Sequence, residues 1–304
     1  MSNYKKRLKK EAQSFDNIAA ERLASGKLPD IRRNFFNPYF YNNIWRNSNF
    51  VREHFSTSID WIVMNLQKHK IESAIEFGCG DGVLCLEIAR AGLNVIGVDI
   101  SPESIRIARE YLKSLPERKH LNIQYICQSA LEYKGRIGSM VCHGFLHHLP
   151  PKALKDFIKK VSQNMRTGQV LVVVEPRYDK VGFKNALLIY ALRLALPNHF
   201  KYKGAKANII KDLEDIIKEV SEADKCQSEM NNESSSELIL KTISSYFNYI
   251  EVSYTNAFYD KVIGGIRVNK KDEDKLATLL KKLDDIIVKY SNDMGRNIRI
   301  LAQK

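Results

Sequence analysis

From residue 73 onward, short apolar runs alternate with stretches of helical period. Residues 73–77, 94–99, 122–127, 138–144 and 169–174 read as strands. Residues 83–91, 101–114 and 151–165 carry helical spacing between them. Near-continuous apolar strands separated by helices indicate a parallel sheet covered on both faces. Right-handed crossovers make such a sheet doubly wound. At residue 101 the local signals agree. Ser101 suits an N-cap, Pro102 the first helical position, and Glu103 the positive end of the helix dipole, whereas Ser104 at the third position leaves the capping box incomplete.

The rhythm changes after Pro176. Residues 182–196 predict an apolar helix ended by Pro197. Residues 207–220 predict a one-sided helix carrying Ile209, Ile210, Leu213, Ile216, Ile217 and Val220. A polar loop is expected over 221–236, a helix over 237–247 and a strand over 249–254. A helix over 272–288 should bury Leu276, Leu279, Leu280, Leu283, Ile286 and Ile287 on one face, before a last strand over 297–302. No internal repeat is visible.

Composition narrows the class. The chain has 304 residues, 44% of them hydrophobic and 27% charged, which is globular rather than disordered. Its longest apolar run, 186–196, spans 11 residues and contains Arg193, whereas a spanning helix needs about 20 apolar residues. The first residues, MSNYKKRLKKEAQSF, are charged without an apolar stretch behind them, so a secretory signal is not expected. Five cysteines without a C-x-x-C pair suggest neither a zinc ribbon nor a disulfide framework, and a cytoplasmic setting follows. The net charge is +13, and residues 1–35 hold 9 Lys/Arg against 4 Asp/Glu. Such a surface attracts nucleic acid or anionic lipid, or simply keeps the chain soluble.

The sharpest motif is EFGCGDG, from Glu76 to Gly82, between the first strand and the first helix. Gly78, Gly80 and Gly82 allow a tight turn and close approach of a ligand to helix N–H groups. A dinucleotide fingerprint would need a small residue at Val83, and here the third glycine falls one place early. The pattern resembles motif I of the class I S-adenosylmethionine-dependent methyltransferases. VIGVDIS strengthens the likeness, placing Asp99 at a strand tip 19 residues after Gly80. The segments CQSALEY, VCHGFLHHLP and MRTGQVLVVVEP follow in the family's order, and SYFNYIEVSY…NIRILAQK is similar to its last two strands. Within the class, the strand-four motif and the apolar insertion after strand five are most similar to the ubiquinone-biosynthesis O-methyltransferases.

The resemblance implies an α/β, doubly wound, Rossmann-like, seven-stranded and mostly parallel sheet with an antiparallel last pair and a helical cap insertion. It divides the chain into an N-terminal helical, basic and aromatic arm over the cofactor (1–60), an S-adenosylmethionine-binding core (61–176), the cap (177–247) and C-terminal strands and helix that complete the sheet (248–304). It implies S-adenosyl-L-methionine as cofactor, touched by Glu76, Gly78, Cys79, Gly80, Asp99, Ile100, Ser129, Ala130, His143 and Arg52, with Arg46 competing for the last role. Asp99 would accept both ribose hydroxyls. Tyr39, Tyr41 and Trp45 would wall the pocket. His148 or His147 would be the base, with His148 the slight favourite, since imidazole suits proton transfer at neutral pH. Some relatives bind a metal through glutamates near this histidine. Gly144 and His147 stand at those positions, so no metal is expected.

The implied activity is methyl transfer to a hydroxyl or amine of a small, apolar or aromatic metabolite, with peripheral membrane contact where that acceptor is lipidic. A nucleic-acid methyltransferase is a competing reading of the charge. It is opposed by HGFLHH at strand four, by the lack of a Pro-Cys dipeptide, and by the lack of aromatics interleaved with basic residues. A non-catalytic cofactor-binding partner protein and a dehydrogenase also compete.

Overall fold

The computed structural model describes residues 2–33, 43–180, 182–200, 213–222, 228 and 230–304. The strands are β1 (Ser73–Phe77), β2 (Asn94–Asp99), β3 (Ile123–Cys127), β4 (Ser139–His143), β5 (Val170–Pro176), β6 (Tyr249–Thr255) and β7 (Asn297–Gln303). They form one sheet in the order β3-β2-β1-β4-β5-β7-β6. The first five are mutually parallel, and β7 runs antiparallel to both β5 and β6. The expected doubly wound sheet with an antiparallel end is therefore present.

The helices are α1 (Ser2–Ala24), α2 (Ser48–Lys68), α3 (Val83–Arg90), α4 (Pro102–Ser114), α5 (Pro151–Asn164), α6 (Phe183–Ala195), α7 (Leu213–Glu222), α8 (Ser236–Ser244), α9 (Tyr259–Val262) and α10 (Lys270–Tyr290). The alternation of side chains along a strand sorts them onto the two faces of the sheet. Met140, Cys142, Leu171 and Val173 pack against Leu154, Phe157 and Val161 of α5 and Ile239 and Ile243 of α8. Val141, Val170, Val172 and Val174 face Ile59, Ile62 and Leu66 of α2 and Leu84, Cys85 and Ile88 of α3. Both faces are thus covered, which is why these strands read as unbroken apolar runs. At α4, Ser101 caps the helix as its sequence suggests, its hydroxyl accepting from the Ser104 amide at 3.0 Å.

Two elements depart from expectation. The predicted apolar stripe of α10 is split. Leu279, Leu283 and Ile286 are exposed, while Ala277, Lys281, Asp284 and Val288 are buried. Asp284 accounts for the rotation, because its carboxylate accepts the amides of Phe258 at 2.7 Å and Tyr259 at 2.9 Å. A buried carboxylate with two amide donors holds the helix where a leucine count would not. The second departure is in the segment expected to cap the site. Here α6 and α7 pack with residues 257–262 and Val288, whereas α8 belongs to the sheet core. Arg193 ties α6 to α9 through a 2.7 Å bond to the Lys261 carbonyl. Of the stripe expected over 207–220, residues 207–212 lie outside the described residues, and the rest falls in α7.

Candidate active site

The carboxyl ends of the parallel strands carry two clefts that meet at Gly144. Open α/β sheets bind ligands at this edge. In the first cleft the turn after β1 uses Gly78, Gly80 and Gly82, all with positive φ, at +74°, +51° and +85°. A Cβ on Gly78 would meet the Phe145 ring 2.8 Å away, and one on Gly82 would meet the Tyr125 hydroxyl. A Cβ on Gly80 would meet no protein atom within 4 Å, so it would stand in the cleft itself. Asp99 closes the turn from the tip of β2. Its two carboxylate oxygens accept the Gly80 amide at 2.8 Å and the Ser101 amide at 2.9 Å. Each oxygen keeps a further lone pair for ligand hydroxyls. Burial pushes the Asp99 carboxyl above its usual range. A cradle open at Gly80 beside a pinned carboxylate fits the ribose and amino-acid end of S-adenosyl-L-methionine.

Ile100, Ser129 and Ala130 line the same cleft, with Gln128 and Leu131. The roof is α1, whose Tyr4, Leu8, Glu11, Phe15, Ile18, Ala19 and Arg22 also line it. These residues recur at helical spacing, a stripe hidden in the sequence by the lysines around it. Three side chains of α1 hold the roof. Arg7 pairs with Glu233. Asp16 accepts from the Ser101 hydroxyl at 2.6 Å and the Glu103 amide at 2.9 Å, at the positive end of α4. Glu11 meets His148 Nδ1 at 2.9 Å and accepts from Ser228 at 2.7 Å and the Met230 amide at 2.9 Å. Burial raises the Glu11 carboxyl, but these donors outweigh it and hold it below its usual range. Burial lowers the His148 imidazole against the pull of Glu11.

The remaining expected cofactor residues lie elsewhere. Glu76 is buried beneath the turn, where Cys85 Sγ donates to it at 2.9 Å, and burial raises its carboxyl to about 8. Cys79 points into the core on the α2–α3 side of the sheet, and burial raises its thiol to about 11. Neither lines the cleft. Arg52 is exposed on α2 and does not line it either, whereas Arg22 of α1 does. Arg46 is committed to Glu273 at 2.8 Å. Trp45 stacks under Lys27 Nζ at 4.0 Å, and Tyr39 and Tyr41 lie outside the described residues. His143 lines the second cleft instead, where burial lowers its imidazole.

That second cleft also contains His54, His147, Glu175, Tyr178 and Asn256. Glu175, wholly buried at the end of β5, accepts the amides of Phe145 at 2.9 Å and Leu146 at 2.7 Å on one oxygen, and contacts His147 Nδ1 at 2.6 Å with the other. An ionised carboxylate only accepts, so beside it a neutral His147 would carry its proton on Nδ1 and its lone pair on Nε2. The sequence motifs do not single out Glu175, although it stands at a strand's carboxyl end. His54, on the helix before β1, has no motif to mark it. Among the described residues no group of three or more His, Cys, Asp or Glu side chains is arranged to hold a metal. No helix among them is long and apolar enough to cross a membrane.

Residues 75–171 match the family described as a methyltransferase domain. The ubiquinone biosynthesis O-methyltransferase of Cupriavidus pinatubonensis is 33% identical over 117 residues, 34% of this chain and 46% of that protein. The corresponding protein of Erwinia tasmaniensis is 31% identical over 96 residues, 30% of this chain and 38% of the relative. The chain thus spans less than half the length of the curated relatives it matches. Among solved structures, an S-adenosylmethionine-dependent methyltransferase from Clostridium acetobutylicum superposes with a TM-score of 0.47 at 14% identity, over 82% of this chain and 91% of that one. The methyltransferase-domain match contains both the glycine turn after β1 and Asp99 at the tip of β2, and it covers β2, β3 and β4 whole with the end of β1 and the start of β5.

Proposed function

We propose that the protein methylates a hydroxyl or amine of a small acceptor, with S-adenosyl-L-methionine in the first cleft and the acceptor in the second. The observation that carries this reading is the junction at Gly144. It lines both clefts at φ +65°, and a Cβ there would meet no atom within 4 Å. The cofactor supplies a sulfonium-activated methyl group, so the protein's task is alignment and proton removal. Holding two reactants in line contributes up to about 7–11 kcal/mol.

His147 is the base in this reading. Glu175 fixes its tautomer, and the cleft it lines is the acceptor's. A hydroxyl of the acceptor gives its proton to His147 Nε2, and Glu175 stabilises the resulting imidazolium. His148, the expected favourite, meets the Glu11 carboxylate through Nδ1 in the same way but lines the cofactor's cleft, so in this reading it is a positioning residue that couples α1 to the strand-four loop. The outward faces of α6 (Phe183, Leu187, Leu194) and α10 (Leu279, Leu283, Ile286, Tyr290) are exposed, with Lys275, Lys282 and Lys289 exposed along α10. Apolar side chains flanked by lysines support peripheral contact with an anionic bilayer.

Calorimetric titration with S-adenosyl-L-methionine and with NAD, followed by a mass-shift screen of candidate acceptors, tests the proposal. Binding of the first alone, then a gain of one methylene in mass on an acceptor, is expected. Binding of NAD instead overturns it.

A further inference from the structure

Two residues that line the second cleft carry polar atoms that the protein leaves unpaired. The Nδ1 atom of His54 is shut off from solvent and has no hydrogen-bond partner. Asn256 is 3% exposed, and its Oδ1 likewise has none. Both side chains line two adjoining cavities of about 200 and 130 Å³, which share Tyr178 and Asn297 as well. Asn256 sits just past β6 at φ +59°, and its carbonyl accepts the Arg296 amide at 3.0 Å. The residue is therefore held in a backbone conformation that side chains other than Asn or Asp rarely adopt.

Two buried orphan atoms on one wall are costly, about 1–3 kcal/mol each when nothing satisfies them. Their chemistry restricts what can. The amide oxygen of Asn256 accepts only, so its partner must bring an O–H or N–H. Burial lowers the His54 imidazole to about 4, so near neutrality it offers hydrogen bonds and no charge. Arg296, which lines the smaller cavity, is paired with Asp260. That partner, outweighing burial, holds the carboxyl of Asp260 far below its usual range. The Glu175 carboxylate lies in the same wall. An anionic group would face two carboxylates and a guanidinium already engaged.

Resting on the assignment of this cleft to the acceptor, we infer that His54 and Asn256 form a recognition subsite for a neutral hydroxyl- or N–H-bearing group on the acceptor, separate from the group that is methylated. A site built to hydrogen-bond such a group rejects analogues that lack it far more strongly than an apolar pocket rejects a change in size.

The test uses the full chain with S-adenosylhomocysteine bound and hydroquinone as probe. Phenyl phosphate stands for an anion, and 1,4-dimethoxybenzene for a neutral, somewhat larger analogue that keeps both oxygens but has no donor. Hydroquinone should bind roughly tenfold or more tighter than either, and the difference should vanish in His54→Leu and in Asn256→Gly. Glycine tolerates the positive φ, so Asn256→Gly removes the amide without straining the turn. Affinity for S-adenosyl-L-methionine, unchanged in both variants, reports that they are folded. Equal binding of hydroquinone and dimethoxybenzene, hydroquinone affinity indifferent to both substitutions, or no hydroquinone binding by a protein that does bind the cofactor would each overturn the subsite. Failure of the wild type to bind the cofactor would instead overturn the methyltransferase reading beneath it.

Discussion

Replacing Glu175 by glutamine tests the base assignment with almost no change of shape. The carboxylate makes three contacts, at 2.9, 2.7 and 2.6 Å. The two backbone amides are obligatory donors, so the glutamine must turn its carbonyl oxygen toward them. Its NH2 group then faces His147 Nδ1, two donors in opposition unless the imidazole changes tautomer. The proton moves to Nε2, the nitrogen facing the acceptor, and the ring can no longer accept one there. The stability cost is one charge-assisted hydrogen bond, about 1.5–3 kcal/mol. The catalytic cost is the whole general-base contribution, about 10²–10⁴-fold in kcat. Cofactor affinity should hold, since Glu175 does not line the first cleft. Long-range proton–nitrogen spectra of the histidine rings read the tautomer directly, and single-turnover methylation reads the rate. A variant that keeps wild-type kcat, or keeps the proton on Nδ1, refutes the reasoning.

Other sites make separate predictions. Asp99→Ala should weaken S-adenosyl-L-methionine binding by about 1.5–3 kcal/mol, and Gly80→Val should weaken it further, because the added carbons occupy the open cradle; calorimetry decides. Glu11→Gln should loosen the roof helix, seen as faster amide exchange across α1 and quicker cofactor release, and unchanged exchange would show that α1 does not depend on this latch. Glu76 keeps its proton in the folded chain up to about pH 8 but ionises near its ordinary value of 4.5 when unfolded. The folded state therefore binds more protons between those values, and stability falls as pH rises through that window. Glu76→Gln should flatten this slope in urea titrations, and a wild-type slope in the variant would contradict the burial argument. The protein should float with anionic but not neutral vesicles, and Lys282→Glu with Lys289→Glu should abolish flotation; flotation insensitive to those changes would remove α10 from the contact.

The backbone of the central domain was legible because its local signals agree. Apolar runs of strand length, Ser101–Pro102 at a helix start, and glycines at Gly78, Gly80 and Gly82 each state a requirement that holds wherever the segment sits. Asp99 was legible for the same reason, its place being set by a strand end and a fixed distance from the turn. Tertiary structure decided what depends on long-range partners. Glu11 and His148, 137 positions apart in the sequence, meet only because α1 crosses the sheet edge. Glu76 turned inward to Cys85 rather than toward the cleft, and its burial there favours the neutral form. That His147 meets Glu175 was settled by the pairing of β4 with β5, which sets Glu175 beneath the strand-four loop. The split stripe of α10 has a similar origin: counting leucines cannot anticipate that Asp284 finds two amide donors inside. Periodicity records which residues avoid water, whereas polar partners are chosen by distance in the folded chain, and that distance exists only once the layers have packed.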